Sequence, residues 1–224
     1  MKEVASVLLF IYGASGVGIE IYDQAERSNQ IDHKYSKIML IDDFEEETTY
    51  YGTKRIHFDS CAKYVEDEDA EFIVAVGEPT SRKVLADKIK DNGYKMATLV
   101  DQTAIVSPTA KLFPGCVVGA GAIISSEAVL DGNCMVLYQA IVGHHAHVGE
   151  NTVICPKSTV GGHSNVGKNC FIGIGSSMKQ RVNLGKDVIV GMGAMVFRDV
   201  EDGATVVGNP ARVTKGNDDH KVFS

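Results

Sequence analysis

The 224 residues are 44% apolar and 23% charged, a globular balance that excludes a disordered chain and suffices for one large domain or two small ones. Twenty-two basic against 29 acidic residues leave a net charge of -7, without the positive field that holds a nucleic-acid backbone or an anionic membrane. Five cysteines, at 61, 116, 134, 155 and 170, are odd in number and lack CxxC spacing, which opposes a disulfide framework or a zinc ribbon and fits a cytoplasmic protein.

The first apolar run, Val4 to Tyr12, is too short for a bilayer, which takes about 20 residues. Glu3 before it and a glycine-rich turn after it oppose a signal peptide and read as a buried first strand. A helix from about Val17, a strand over Lys37–Ile41, a strand over Glu71–Gly77, a helix over Ser81–Asn92 and a strand over Tyr94–Val100 follow. This alternation predicts βαβ units around a parallel sheet, too short for a full six-stranded dinucleotide fold. Between the second and third strands the acidic stretch Phe44–Ala70 is expected to hold one short helix with Asp59-Ser60 as its N-cap.

Tyr12-Gly13-Ala14-Ser15-Gly16-Val17-Gly18 joins the first strand to the first helix. Its glycines allow a tight turn and let N–H groups at a helix start approach a phosphate, although Ser15 breaks a strict GxGxxG. Asp42-Asp43, ending the second strand, offers carboxylates to ribose hydroxyls or a base, and Gly77 closes the third strand on the same edge. Each feature alone is weak, since Asp pairs commonly end strands and glycine-rich turns commonly only turn; three on one edge point to a nucleotide site.

From Val106 the grammar changes to a period of six. Sixteen successive first positions, from Val106, Leu112 and Val118 to Val190 and Val196, are aliphatic, and every fifth position is small or Val. Neither an α-helix nor a hairpin meander has that period. A parallel β-helix does, each hexad giving one short strand and one turn, three hexads closing a coil of 18 residues. Cys116, Cys134 and Cys170 then fall in one inward column of small residues, as core filler. Domains are expected at 1–103 (Rossmann-like α/β) and 104–212 (β-helix), with 213–224 a tail whose composition suggests mobility.

Turn side chains of such a coil face outward, which singles out His144, His145, His147 and His163. The 18-residue register sets His145 below His163 and His144 below Gly162, leaving space beside His144. A histidine beside a glycine-lined groove suits proton removal from an attacking amine or hydroxyl; a solvated surface histidine is the plain alternative. A zinc site needs three converging imidazoles, and the register aligns only one pair.

Across nearly the whole chain, IYGASGVG (11–18), LIDDF (40–44), AVG (75–77), VSPTA (106–110), VGHHAHVG (142–149), GMGAMV (191–196) and VGNPAR (207–212) carry a resemblance. The arrangement resembles sugar-nucleotide acetyltransferases that join a Rossmann-like domain to a left-handed β-helix of hexapeptide repeats, the group of the bacillosamine-pathway N-acetyltransferases and the sialic acid O-acetyltransferases. The resemblance implies acetyl-CoA as cosubstrate, no metal, a homotrimer with intersubunit sites, and His144 as the catalytic base. His145 occupies the place of the family's usual acidic residue, Leu137 that of an asparagine and Val153 that of a histidine. Val153, Gly162, Ile174, Gly175 and Met192 would line the acetyl-CoA groove, the Gly162 N–H facing the thioester oxyanion. Ser15, Gly16 and Val17 would hold the phosphates of the nucleotide sugar, and Asp42, Asp43 and Gly77 its nucleoside. The implied reaction is N-acetylation of a nucleotide-linked amino-deoxy sugar, of the 4-amino-4,6-dideoxy type, with O-acetylation of the sialic acid type as the alternative. A nicotinamide-dependent oxidoreductase and a metal-dependent hydratase are the competing classes.

Overall fold

The computed structural model describes residues 7–65, 69–217 and 219–223. Val4 to Ser6 of the expected first strand lie outside these. The amino-terminal elements are β1 (Val7–Tyr12), α1 (Gly16–Asp32), β2 (Tyr35–Ile41), β3 (Thr48–Tyr50), β4 (Thr53–Ile56), a 3-10 helix (Phe58–Tyr64), β5 (Asp69–Val74), α2 (Pro79–Asp91) and β6 (Lys95–Met96). The sheet runs β3-β4-β2-β1-β5-β6, parallel except where β3 meets β4. β1 is central, and its unbroken apolar run is what a strand covered on both faces requires. Among the described residues no helix is long and apolar enough to cross a membrane.

Two expectations need correction here. The 44–70 stretch holds a β3–β4 hairpin as well as the short helix, turning on Tyr51 (φ 51°) and Gly52 (φ 79°), and the helix is capped by His57 rather than Asp59-Ser60. Positive φ at both turn residues matches the twist of a two-residue hairpin, and Thr48-Thr49 and Thr53 supply its β-branched flanks. The strand expected over Tyr94–Val100 divides. Lys95–Met96 pairs with β5, whereas Leu99–Val100 pairs with Val117–Val118 as the first rung of the next unit.

That unit is a left-handed parallel β-helix. Two-residue strands, β7 (Leu99–Val100) to β23 (Met195–Val196), recur every six residues and stack in three faces. Partners lie 18 residues apart: Val117 with Met135 on the first face, Ile123 with Ile141 on the second, Val129 with His147 on the third. The aliphatic first positions and small fifth positions point inward and form one core. Cys116, Cys134 and Cys170 are fully buried there, their thiols donating to the carbonyls of Asp131, Gly149 and Gly185 at 3.2, 3.2 and 3.1 Å.

From Gly115 to Gly193 each corner places one residue in the left-handed region, among them Glu127, Asn133, His145, Asn151, His163, Asn169 and Asp187 at φ near 60°. After glycine, asparagine and aspartate tolerate that conformation best. At the corner between third and first faces they form a ladder: Asn133 Nδ2 donates to Asn151 Oδ1 (2.9 Å), Asn151 to Asn169 (3.1 Å) and Asn169 to Asp187 (3.1 Å). Arg82 of α2 caps its first rung. Completely buried, and with no carboxylate partner among the described residues, its guanidinium donates to Asn133 O and Oδ1 and to the carbonyls of Val74 and Val76.

The outer side of the first face packs on the amino-terminal domain, where Val117, Met135 and Val153 share a core with Ala14, Ile21, Ala25 and Ala75. The tail expected to be mobile is docked instead. β24 (Ala204–Val207) pairs antiparallel with β25 (Arg212–Gly216), and the N–H groups of Val222 and Phe223 donate to Glu78 Oε2 at 2.9 and 3.1 Å.

Candidate active site

On the amino-terminal domain, three predicted features meet along one sheet edge. Gly13 N donates to Ile41 O (2.9 Å) and Ala75 N to Tyr12 O (2.8 Å), which sets the glycine-rich turn between Asp42 and Gly77. Gly13 is required as such: at φ +122° its Cβ would lie 2.6 Å from Ala75 O. Ser15 caps α1 by backbone geometry without a side-chain bond, and Ser15 and Gly16 are exposed with Val17 half-buried beside them. The two aspartates divide their labour. Asp43 accepts from Lys88 Nζ (2.9 Å), Phe58 N (2.8 Å) and the Tyr12 hydroxyl, so its carboxylate is consumed inside the protein. Burial opposes its charge, but these hydrogen bonds outweigh it and lower its pKa. Asp42 accepts only from Phe44 N (3.0 Å) among the described residues, and Phe44 itself, which the sequence reading passed over, is 98% exposed beside it.

On the β-helix, the corner between second and third faces gathers His144, His145 and His163. His145 and His163 stack at 4.6 Å between centroids, as the register predicts, and His144 stands edge-on to both. The space expected beside His144 is filled by its own ring: a Cβ on Gly162 would come within 2.7 Å of His144 Nε2. His144 Nδ1 lies 3.2 Å from His145 Nδ1, and His145 Nε2 lies 3.2 Å from Glu127 Oε2. Glu127 escaped the sequence reading, although it stands 18 residues before His145 and so in its column. Loss of solvation against its neighbours, then the adjacent His145 and His144, lower the pKa of the exposed His163, which favours its neutral form. One ring nitrogen from each of the three histidines lies within 4.8 Å of the others, so three imidazoles converge where the register aligned only one pair; both nitrogens of His145 already have protein partners.

Of the other predicted groove residues, Gly162 adjoins His144, but Ile174, Gly175 and Met192 lie on the corner between first and second faces, Ile174 and Met192 exposed. Val153 does not join them: it is buried in the interdomain core, because its outward position on the first face is covered by the amino-terminal domain. One chain therefore separates its histidine corner from the glycine-rich edge of its amino-terminal sheet, since that corner is opposite the face on which the amino-terminal domain packs.

The family described as PglD N-terminal domain matches residues 8–89, and that described as GMPPB C-terminal domain matches 94–193. The acetyltransferase domain of PglB from Neisseria gonorrhoeae is 28% identical over 92% of this chain and 99% of that one, with a TM-score of 0.86. The same domain in complex with acetyl coenzyme A superposes over 94% of this chain and 100% of that one, also at 28% identity and 0.86. WeeI from Acinetobacter baumannii, at 22% identity, 93% and 100% coverage and TM-score 0.85, shares the fold.

The fold and its likeness to these acetyltransferase domains mark an acyltransferase with a left-handed β-helix of hexapeptide repeats. Among such enzymes, the chain resembles the sugar-nucleotide acetyltransferases, a domain matching the PglD N-terminal model preceding its β-helix.

Proposed function

We propose that the protein transfers the acetyl group of acetyl-CoA to an amino group of a nucleotide-linked amino-deoxy sugar, of the 4-amino-4,6-dideoxy type. The observation that carries this is His144 laid against Gly162 with Nε2 at the exposed corner, in a fold shared with a PglB acetyltransferase domain that binds acetyl coenzyme A. The amine lone pair attacks the thioester carbonyl, its proton passes to His144 Nε2, and the C–S bond breaks as the C–N bond is completed. CoA thiolate then takes the proton back, leaving amide and free thiol. The Gly162 N–H, which has no acceptor among the described residues, is available to the oxyanion.

Ser15, Gly16 and Val17 bind the sugar nucleotide's phosphates; Asp42 and, across the glycine-rich turn, Gly77 bind the nucleoside, Phe44 offers a stacking surface, and Asp43 props the edge from within. Ile174, Gly175 and Met192 line the acetyl-CoA path, where a second chain brings its histidine corner to this chain's nucleotide edge. A homotrimer fits this reading. The second face, lying between the two corners, carries exposed Ile105 and half-buried Ile123 and Ile141 for such contacts. We place the reaction in the cytoplasm, in keeping with five buried free thiols.

The test is thiol release from acetyl-CoA with UDP-, dTDP- and GDP-linked 4-amino sugars and their 4-hydroxy twins. Release with an amino sugar and not its twin is expected; release with the hydroxy sugar would instead make the enzyme an O-acetyltransferase. His144→Ala should lower turnover by about 10²- to 10⁴-fold, the usual worth of general-base help, while acetyl-CoA binding by calorimetry is retained. Wild-type turnover in that variant would refute the assignment of the base.

A further inference from the structure

His144 lacks an acid at the next position, and its hydrogen bonds show how the chain manages without one. We propose that Glu127, acting through His145, fixes the tautomer of His144 and stabilises the positive charge it acquires. The inference rests on His144 being the base of the proposed reaction.

The tautomers follow from the donors and acceptors. An ionised carboxylate only accepts, so the 3.2 Å contact with Glu127 Oε2 requires the proton of His145 on Nε2. Neutral His145 then presents a lone pair at Nδ1. The 3.2 Å contact between the two Nδ1 atoms is satisfied only if His144 carries its own proton there. His144 Nε2, against Gly162, is left with the lone pair, at the ring position available to a substrate. When His144 gains a second proton, its Nδ1–H polarises toward His145, and the Nε2–H of His145 polarises toward Glu127. Negative charge one coil away is thus delivered through an imidazole.

The other charged or titratable groups facing this pair are few. His163 stacks on His145 and stands edge-on to His144, and Arg181, next in the same column, acts on His163. Neither offers negative charge, so among the described residues Glu127 supplies the carboxylate contact of this cluster. Glu127 and His145 are positioning residues, since neither has to touch the substrate.

The column tolerates conservative tests. Glu127 and His145 sit at φ 57° and 58°, and the same corner geometry holds Gln139 at φ 56° and Asn151 at φ 63°. Glu127→Gln and His145→Asn should therefore fold as the parent does, which thermal unfolding of the trimer checks. Each should lower kcat by roughly 3- to 30-fold with the KM for acetyl-CoA unchanged, as expected for one partly screened charge. In each, the acid limb of the pH–rate profile should move to lower pH, because an imidazolium without its carboxylate gives up its proton more readily. The double variant should lose no more than the worse single one, since both cut the same chain. His145→Asp in the Glu127→Gln background sets a carboxylate directly against His144 Nδ1 and should restore the rate and the acid limb.

Additive losses, an unmoved acid limb, or no rescue by His145→Asp would each overturn the relay while leaving His144 as the base. Full activity of His144→Ala would remove the base itself, and with it both readings.

Discussion

Gly162 decides where the His144 ring stands. The His144 ring lies over the place a side chain at 162 would fill, with Nε2, Cε1 and Cδ2 between 2.7 and 3.0 Å of the missing Cβ. Since Gly162 has an ordinary backbone angle and the crowding atoms belong to one rotatable side chain, Gly162→Ala should fold normally and turn the imidazole aside. We expect turnover to fall by roughly 10²-fold with little change in melting temperature, a misplaced catalytic group being enough for such a loss. Gly143, one coil below, is the control: its Cβ would meet Gly162 N at 2.5 Å, backbone that cannot turn away, so Gly143→Ala should lower the melting temperature instead.

At the level of elements, the period of six fixed most of what the β-helix is, because an inward aliphatic and an inward small residue leave few other arrangements. His145 stacked on His163, His144 beside Gly162, and the buried cysteine column were all legible from register alone. What escaped depends on partners that no period encodes. Asp43 reads as a ligand for a nucleoside until Tyr12 and Lys88 are seen to take it, and Val153 reads as a groove residue until the amino-terminal domain covers it. The β3–β4 hairpin was hidden because its strands are three and four residues long and lie amid acidic residues. The tail was misjudged on composition, its anchor being two backbone N–H groups on Glu78. Arg82 is the element-level contact with the largest consequence. Removing its side chain strands the Asn133, Val74 and Val76 carbonyls in a buried interface, so Arg82→Met should destabilise the fold by about 1–3 kcal/mol for each acceptor left unpaired, measured by denaturant titration. Calorimetry should show the two domains of the variant melting separately where the parent melts as one.

At the level of the whole molecule, the separation of histidine corner and nucleotide edge has a kinetic signature. If each site joins the corner of one chain to the edge of another, two inactive variants should rescue each other. Mixing His144→Ala with a chain disabled at the glycine-rich turn, for instance Gly16→Trp, should recover about a quarter of the parental rate after subunit exchange, the share of random pairings that unite two sound halves. No recovery beyond the sum of the separate variants would show that each chain acts on its own substrate.

The three corners of the β-helix are alike in backbone and unlike in chemistry: one holds imidazoles, one an amide ladder, one an apolar track. Position along such a thread is a matter of phase. Excising six residues would rotate everything beyond the cut by one corner, sliding asparagines under the histidines and breaking every ladder at once. Excising 18, the spacing of strand partners, would shorten the screw by one pitch of about 4.8 Å and leave each column in phase. Gains and losses in this half of the molecule are therefore quantised, and natural length variants should differ here by whole coils.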